Sequence, residues 1–291
     1  MGHHHHHETK NLKAAFFLNL GFTIIEVIGG FFTNSVAILS DALHDLGDSL
    51  SLGLSWYFQN VSKKGRSKKF SYGYGRFSLL GAIINAVVLL SGSVIIITEA
   101  IPRILDPQTP DTEGMIYLAI LGVVVNGAAV LKLKRGVSIN EKVVSLHLLE
   151  DVLGWVAVLI GAIIMHFYDA PIIDPLLSLG ISAFILFNVF RNLKQSFRII
   201  LQGTPEDIPI NKLISMIENV DGVKSIHDCH MWTLEGEQNI FSAHLVVDEN
   251  HQIKDLISLK KEVRKLLHDA GVEHATLEFE TEEEDCQLED C

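Results

Sequence analysis

Polar and apolar positions along this chain follow two different length scales. Over the first two thirds, apolar residues run almost unbroken in six blocks, near residues 12–32, 36–59, 77–101, 114–133, 143–167 and 172–193. Each block can cross a hydrocarbon core of about 30 Å, which takes about 20 helical residues. Backbone polar groups in lipid must be paired within the segment, so all six are predicted as helices. After Gly203 the blocks stop and the periods shorten. "PEDIPINKLISMIENV" sets Ile210, Leu213, Ile214 and Ile217 on one helical face. "GVKSIHDCHMWTL" and "NIFSAHLVVD" alternate as strands do, joined by the turn "EGEQ". "DLISLKKEVRKLLHDAG" reads as a second helix ended by Gly271, and "EHATLEFE" as a third strand. The order α-β-β-α-β predicts a small two-layer α+β domain of ferredoxin-like type.

The connections between blocks alternate in charge. Lys63, Lys64, Arg66, Lys68, Lys69 and Arg76 lie between the second and third. Lys132, Lys134, Arg135 and Lys142 lie between the fourth and fifth, and Arg191, Lys194 and Arg198 follow the sixth. The opposite connections carry almost no positive charge. By the positive-inside rule both termini are cytoplasmic. The predicted fold is therefore a membrane all-α six-helix bundle plus a cytoplasmic α+β ferredoxin-like domain. Its divisions are a His-rich N-terminal tail or tag (1–10), the transmembrane domain (11–202), the cytoplasmic domain (203–282) and an acidic Cys-containing tail (283–291).

Composition agrees with a membrane protein: 48% of the 291 residues are hydrophobic. The acidity is uneven. Thr204 to Cys291 holds 21 Asp and Glu against 7 Lys and Arg, while the rest of the chain is close to neutral. That sign argues against a nucleic-acid partner and for cations. The cysteines, Cys229, Cys286 and Cys291, are odd in number and all lie in the acidic domain, which fits a reduced, cytosolic setting. No cleavable signal peptide is expected. "GHHHHH" near the start reads equally as an expression tag or a native metal tract.

Two apolar blocks carry titratable groups that lipid would reject. The second holds Asp41, His44, Asp45 and Asp48, and the fifth opens on His147, Glu150 and Asp151. His44 and Asp48 are four apart, as are His147 and Asp151, and residues so spaced share one helical face about 6 Å apart. Two such helices face to face offer two imidazole nitrogens and two carboxylate oxygens, a set suited to tetrahedral Zn²⁺. Softer Cd²⁺ prefers sulfur, and Mg²⁺ or Ca²⁺ prefers oxygen alone. Ionisable groups at membrane depth point to function. Asp41 reads as an outer ligand or a vestibule carboxylate, and Asp45 points off the His44 face. Glu150 points away from Asp151, toward a supporting or lipid-interface position. Asn19, Glu26, Asn85, Glu99 and Asn126 are further polar residues in the spans; Glu26 either lines the same cavity or bonds a packed helix. A membrane metalloenzyme would need an open metal position and a general base, and no HExxH motif is present. A zinc-gated sensor or channel would lack dependence on a pH gradient.

"SVAILSDALHDLGD", "SLHLLEDVLGW", "IDPLLSLGI" and "SIHDCHMWTL" together resemble the cation diffusion facilitators, a family of proton-coupled divalent-metal exporters. The resemblance spans residues from about 10 to 282. It implies a homodimer, a Zn²⁺/H⁺ antiport through His44, Asp48, His147 and Asp151, and a place in the zinc branch. In a bacterium the location would be the inner membrane. Tyr74 stands where some members carry a loop histidine ligand, so no metal is expected there. The resemblance also implies a cytoplasmic zinc site at His227 and His244 with Glu278 and Glu280. Asp228, Cys229 and His230 lie beside it, and Cys286 and Cys291 resemble cysteines that cap this site in relatives. A further family histidine is replaced near Ile257. Arg76 resembles a family lysine in an interprotomer salt bridge, with Glu206 or Asp207 as its counterpart.

Overall fold

The computed structural model describes residues 5–62, 64–133 and 139–284, with side chains excepted over 5–15, 55–56, 59–60, 62, 132–133 and 139–148. Six long helices occupy the six apolar blocks: α1 (His5–Thr33), α2 (Val36–Ser62), α3 (Phe77–Leu105), α4 (Thr112–Leu133), α5 (Ile139–Phe167) and α6 (Ile173–Ile200). All but α2 are long and apolar enough to cross a membrane. The shortfall of α2 comes from the three carboxylates Asp41, Asp45 and Asp48 on its first half. The helices overrun the apolar blocks. α6 continues to Ile200 because no breaker interrupts its basic end before Gln202, which takes a left-handed φ of 59°, and Gly203.

The chain divides into two compact units. In the first, α4 and α5 form a close hairpin. Its core sets Met115, Ala119, Trp155, Val158 and Ala162 against Ala37 and Ile38 of α2. Gly122 admits the buried Trp155 ring: a Cβ there would lie 2.2 Å from Trp155 Cδ2. Small residues likewise seat α3 on α2, since a Cβ on Gly92 would meet Leu43 at 2.3 Å and one on Gly47 would meet Leu89 at 2.5 Å.

The second unit joins 62–79 to 194–291. It contains α7 (Ile210–Glu218), β1 (Val223–Thr233), β2 (Asn239–Val247), α8 (Ile253–Asp269) and β3 (His274–Thr281), the order read from the sequence. The sheet order is β1-β2-β3, with β1 antiparallel and β3 parallel to β2. Leu213 and Ile217 of α7 and Leu259, Val263 and Leu267 of α8 bury against Phe241, Leu245 and Leu277. The spacing of three and four residues on each helix is what gives the sheet a continuous apolar cover. Gly271, at φ +87°, ends α8 as expected. The basic connection 62–79 belongs to this unit. Its Phe70, Tyr74 and Phe77 rings cluster at 4.8–5.5 Å, Tyr72 meets His274 edge-on, and Arg76 Nε donates to the Leu234 carbonyl at 3.3 Å. Glu206 pairs with Arg198 of the same chain.

Candidate metal centres

The first centre lies between α2 and α5. His44 Nε2 stands 3.9 Å from Asp48 Oδ2, one turn along α2, and 3.6 Å from Asp151 Oδ1 across on α5. The three offer ligand atoms within 4.8 Å of one another. Asp151 is buried, and its Oδ1 has no hydrogen-bond partner among the described residues. His147 is on α5 one turn before Asp151, and its side chain lies outside the described ones. The structure thus brings together three of the four residues singled out for this site.

What aims α2 at α5 is mostly polar. Asp174, at the start of α6, accepts hydrogen bonds from Ser35 Oγ (2.5 Å), Val36 N (2.8 Å) and Ala37 N (3.3 Å). A helix start leaves its first amides without partners, and here a carboxylate from another helix takes two of them. Ser40 Oγ then shares hydrogen bonds with Ser178 and Ser182, one and two turns further along α6. The Phe184 ring meets His44 edge-on at 6.3 Å. Asp174 lies inside the "IDPLLSLGI" stretch, and its role was not read from the sequence. The Ser and Asp spacing across two distant segments carries that signal only once their helices are known to touch.

Asp41 and Asp45 are both buried, so Asp41 does not stand in an open vestibule. Its Oδ1 is 3.4 Å from where a Cβ on Gly154 would sit, which gives that glycine a reason: α5 backbone approaches the α2 carboxylates there. Asn19 of α1 donates to the Asp45 carbonyl and to Ser49 Oγ, each at 3.0 Å. Asn85 donates to Ser51 Oγ at 2.7 Å, so both asparagines tie packed helices. Glu99 pairs with Arg103 on α3, and Glu150 is exposed.

The second centre is on the sheet of the second unit. Register sets His227 opposite His244 and His244 opposite Glu278. His227 Nε2 lies 3.0 Å from Glu280 Oε2, and His244 Nδ1 lies 2.6 Å from Glu280 Oε1. These three form the other described group able to hold a metal ion. Two imidazoles and a carboxylate fit Zn²⁺. Glu278 is 68% exposed at 3.6 Å from His244 Nε2, on the rim of the site. A bulge in β1 between His227 and His230 puts Asp228 at φ +48°, so its carboxylate reaches both His230 (2.9 Å) and His244 (3.6 Å). His230 is therefore joined to the site through Asp228 and is outside the group of three. Cys229 is buried with its sulfur toward the His227 carbonyl. Cys286 and Cys291 lie outside the described residues.

The chain matches the family model described as the cation efflux transmembrane domain over residues 12–201. It matches the one described as the cation efflux protein, cytoplasmic domain, over residues 205–282. Among relatives, it is 35% identical over 288 residues to a Bacillus subtilis protein named cadmium, cobalt and zinc/H(+)-K(+) antiporter, covering 97% of this chain and 93% of that one. It is 33% identical over 285 residues to the metal cation efflux system protein CzcD of Cupriavidus metallidurans, covering 96% and 90%. It is 30% identical over 305 residues to the zinc transporter ZitB of Escherichia coli, covering 100% and 96%.

Proposed function

The chain belongs to the cation efflux family and is an integral membrane protein, and on that premise we propose that it is a Zn²⁺/H⁺ antiporter that moves zinc out of the cytosol. The observation that carries this reading is the meeting of His44, Asp48 and Asp151 between two helices of the membrane unit. His147, one turn before Asp151, supplies the fourth donor and completes a tetrahedral N₂O₂ set. Imidazole binds metal only through a free lone pair, so zinc and protons compete for His44 and His147. A histidine ordinarily titrates near pH 6.5, within the range a transmembrane pH gradient spans. Zinc entering from the cytosol displaces protons; protons arriving from the far side expel zinc. Rocking of the bundle about the fixed site alternates access. The relatives' names span zinc, cadmium and cobalt, and the absence of a sulfur donor among the four residues supports zinc as the main cargo.

The basic connection 62–79 folds with the tail domain, which supports placing the tail on the cytoplasmic side, with both termini there. The tail site, with His227, His244 and Glu280 as ligands and Glu278, His230, Cys286 and Cys291 around it, binds cytosolic zinc. The chain works as a homodimer whose strongly acidic tails repel one another. Zinc held at the tails relieves that repulsion and reports metal load to the helices. In a bacterial strain stripped of its zinc exporters, the wild-type chain restores growth on high zinc, whereas Asp151→Ala does not. Equal growth with both chains would end the proposal.

A further inference from the structure

Glu26 is the least exposed of the described acidic side chains. It lies near the middle of the apolar span Phe16–Thr33 of α1, is 1% exposed, and the side-chain partner its carboxyl meets among the described residues is another carboxyl, that of Asp45. The charged groups that act on it most strongly are acidic: Asp45 first, then Asp41, both on α2, and Asp151 on α5. On α4, which also packs against α1, the titratable residues are Glu113, the exposed Tyr117 and Lys132, near its ends. Asn19, on the same helix as Glu26, spends its amide on the Asp45 carbonyl and on Ser49. As an anion, Glu26 would face the Asp45 carboxylate with no basic partner bonded to it among the described residues, at membrane depth, where ionisable groups are costly unless paired.

A positive ion must therefore accompany Glu26, and geometry decides which. A metal needs several donors converging on one point. Among the described residues two groups converge in that way, and neither contains Glu26, Asp41 or Asp45. A proton needs one oxygen. We propose that Glu26 is a dedicated proton seat, separate from the metal ligands, that loads a proton from the far side and gives it up when the cargo binds. The proposal deepens the antiport reading and rests on it. The step is an exchange: M²⁺ enters, the Glu26 carboxylic acid becomes a carboxylate, and its proton leaves to cytosolic water. The divalent charge entering the same low-dielectric surroundings favours that loss. Return of the unloaded bundle carries the proton back.

The slope of log Kd for zinc against pH counts the protons released per ion bound. Zinc affinity is measured from pH 6 to pH 8 on the full-length protein in detergent, for wild type, Glu26→Gln and Glu26→Asp. The expected result is a slope lower by about one proton in Glu26→Gln, restored in Glu26→Asp, with zinc affinity at high pH within about twofold of wild type. An unchanged slope in Glu26→Gln overturns the proposal. So does a loss of affinity at every pH as large as that of Asp48→Ala, because Glu26 would then be a ligand. Wild-type zinc flux that ignores a pH gradient would defeat the antiport reading, whereas the slope tests Glu26 regardless.

Discussion

Asp174→Ala tests whether α6 sets the position of the metal-bearing helix. The substitution removes a carboxylate that holds Ser35 Oγ, Val36 N and Ala37 N at the buried start of α2. Hydrogen bonds to a charged group contribute about 1.5–3 kcal/mol each, and an orphaned buried donor costs about 1–3 kcal/mol. The Ser35 hydroxyl can rotate to another acceptor, but the two amides cannot. A net loss of about 3–5 kcal/mol follows, on the order of 10 °C in Tm. Asp174→Asn keeps an acceptor oxygen and loses the charge, so it should cost about half as much. His44 is only about two turns further along α2, so a loosened start should also weaken zinc binding, by about tenfold, the scale of lost supporting contacts around a metal. Tryptophan fluorescence melts of detergent-solubilised protein, with and without zinc, read both effects. Asp174→Ala melting within about 2 °C of wild type, with unchanged zinc affinity, would refute the reasoning.

Gly122→Ala drives a methyl into the Trp155 ring, one turn from Asp151, and should cost about 1–3 kcal/mol by overpacking, read as a lower Tm. Glu235→Gln tests a pH effect in the β1–β2 turn, where burial, Glu237 and Glu273 push the Glu235 carboxyl up against the pull of Arg76. A raised folded-state value means the folded chain holds more protons than the unfolded one across that window, so stability falls as pH rises through it. Glu235→Gln should therefore melt slightly higher than wild type at about pH 8, by under about 1 kcal/mol, and identically at about pH 4, where both states are protonated. His244→Ala, which removes the imidazole between Glu280 and Asp228, should lower the number of zinc ions bound per chain while leaving flux at saturating zinc in place. Equilibrium dialysis and flux on the same preparation check both halves.

The two hydrophobic periods told most of the fold. Blocks of about 20 apolar residues can only be helices in lipid, and the α-β-β-α-β order of the tail followed from its changes of period. The i, i+4 pairs on α2 and α5 pointed to a membrane cluster because helical geometry puts each pair on one face, and the structure brings His44, Asp48 and Asp151 of them together. Other features depended on which helices touch. Asp174 reads as an ordinary acid near a proline until α6 is seen to lie against the start of α2. Gly122 and Gly154 look alike in sequence, yet one admits Trp155 and the other sits beside Asp41. The same holds for Asp228: only the β1 bulge, a local break in strand register, turns its carboxylate toward His230 and His244. Glu26 was visible as an oddity in an apolar block, but its burial against the Asp45 carboxyl is a fact of packing.

Zinc flux into proteoliposomes carrying the purified protein, driven by an imposed pH gradient, tests the central claim most directly. The account predicts that the gradient drives zinc across in the wild type and that Asp48→Ala abolishes the flux. Flux that ignores the gradient and survives Asp48→Ala would contradict it, and the cluster between α2 and α5 would then not be the transport site.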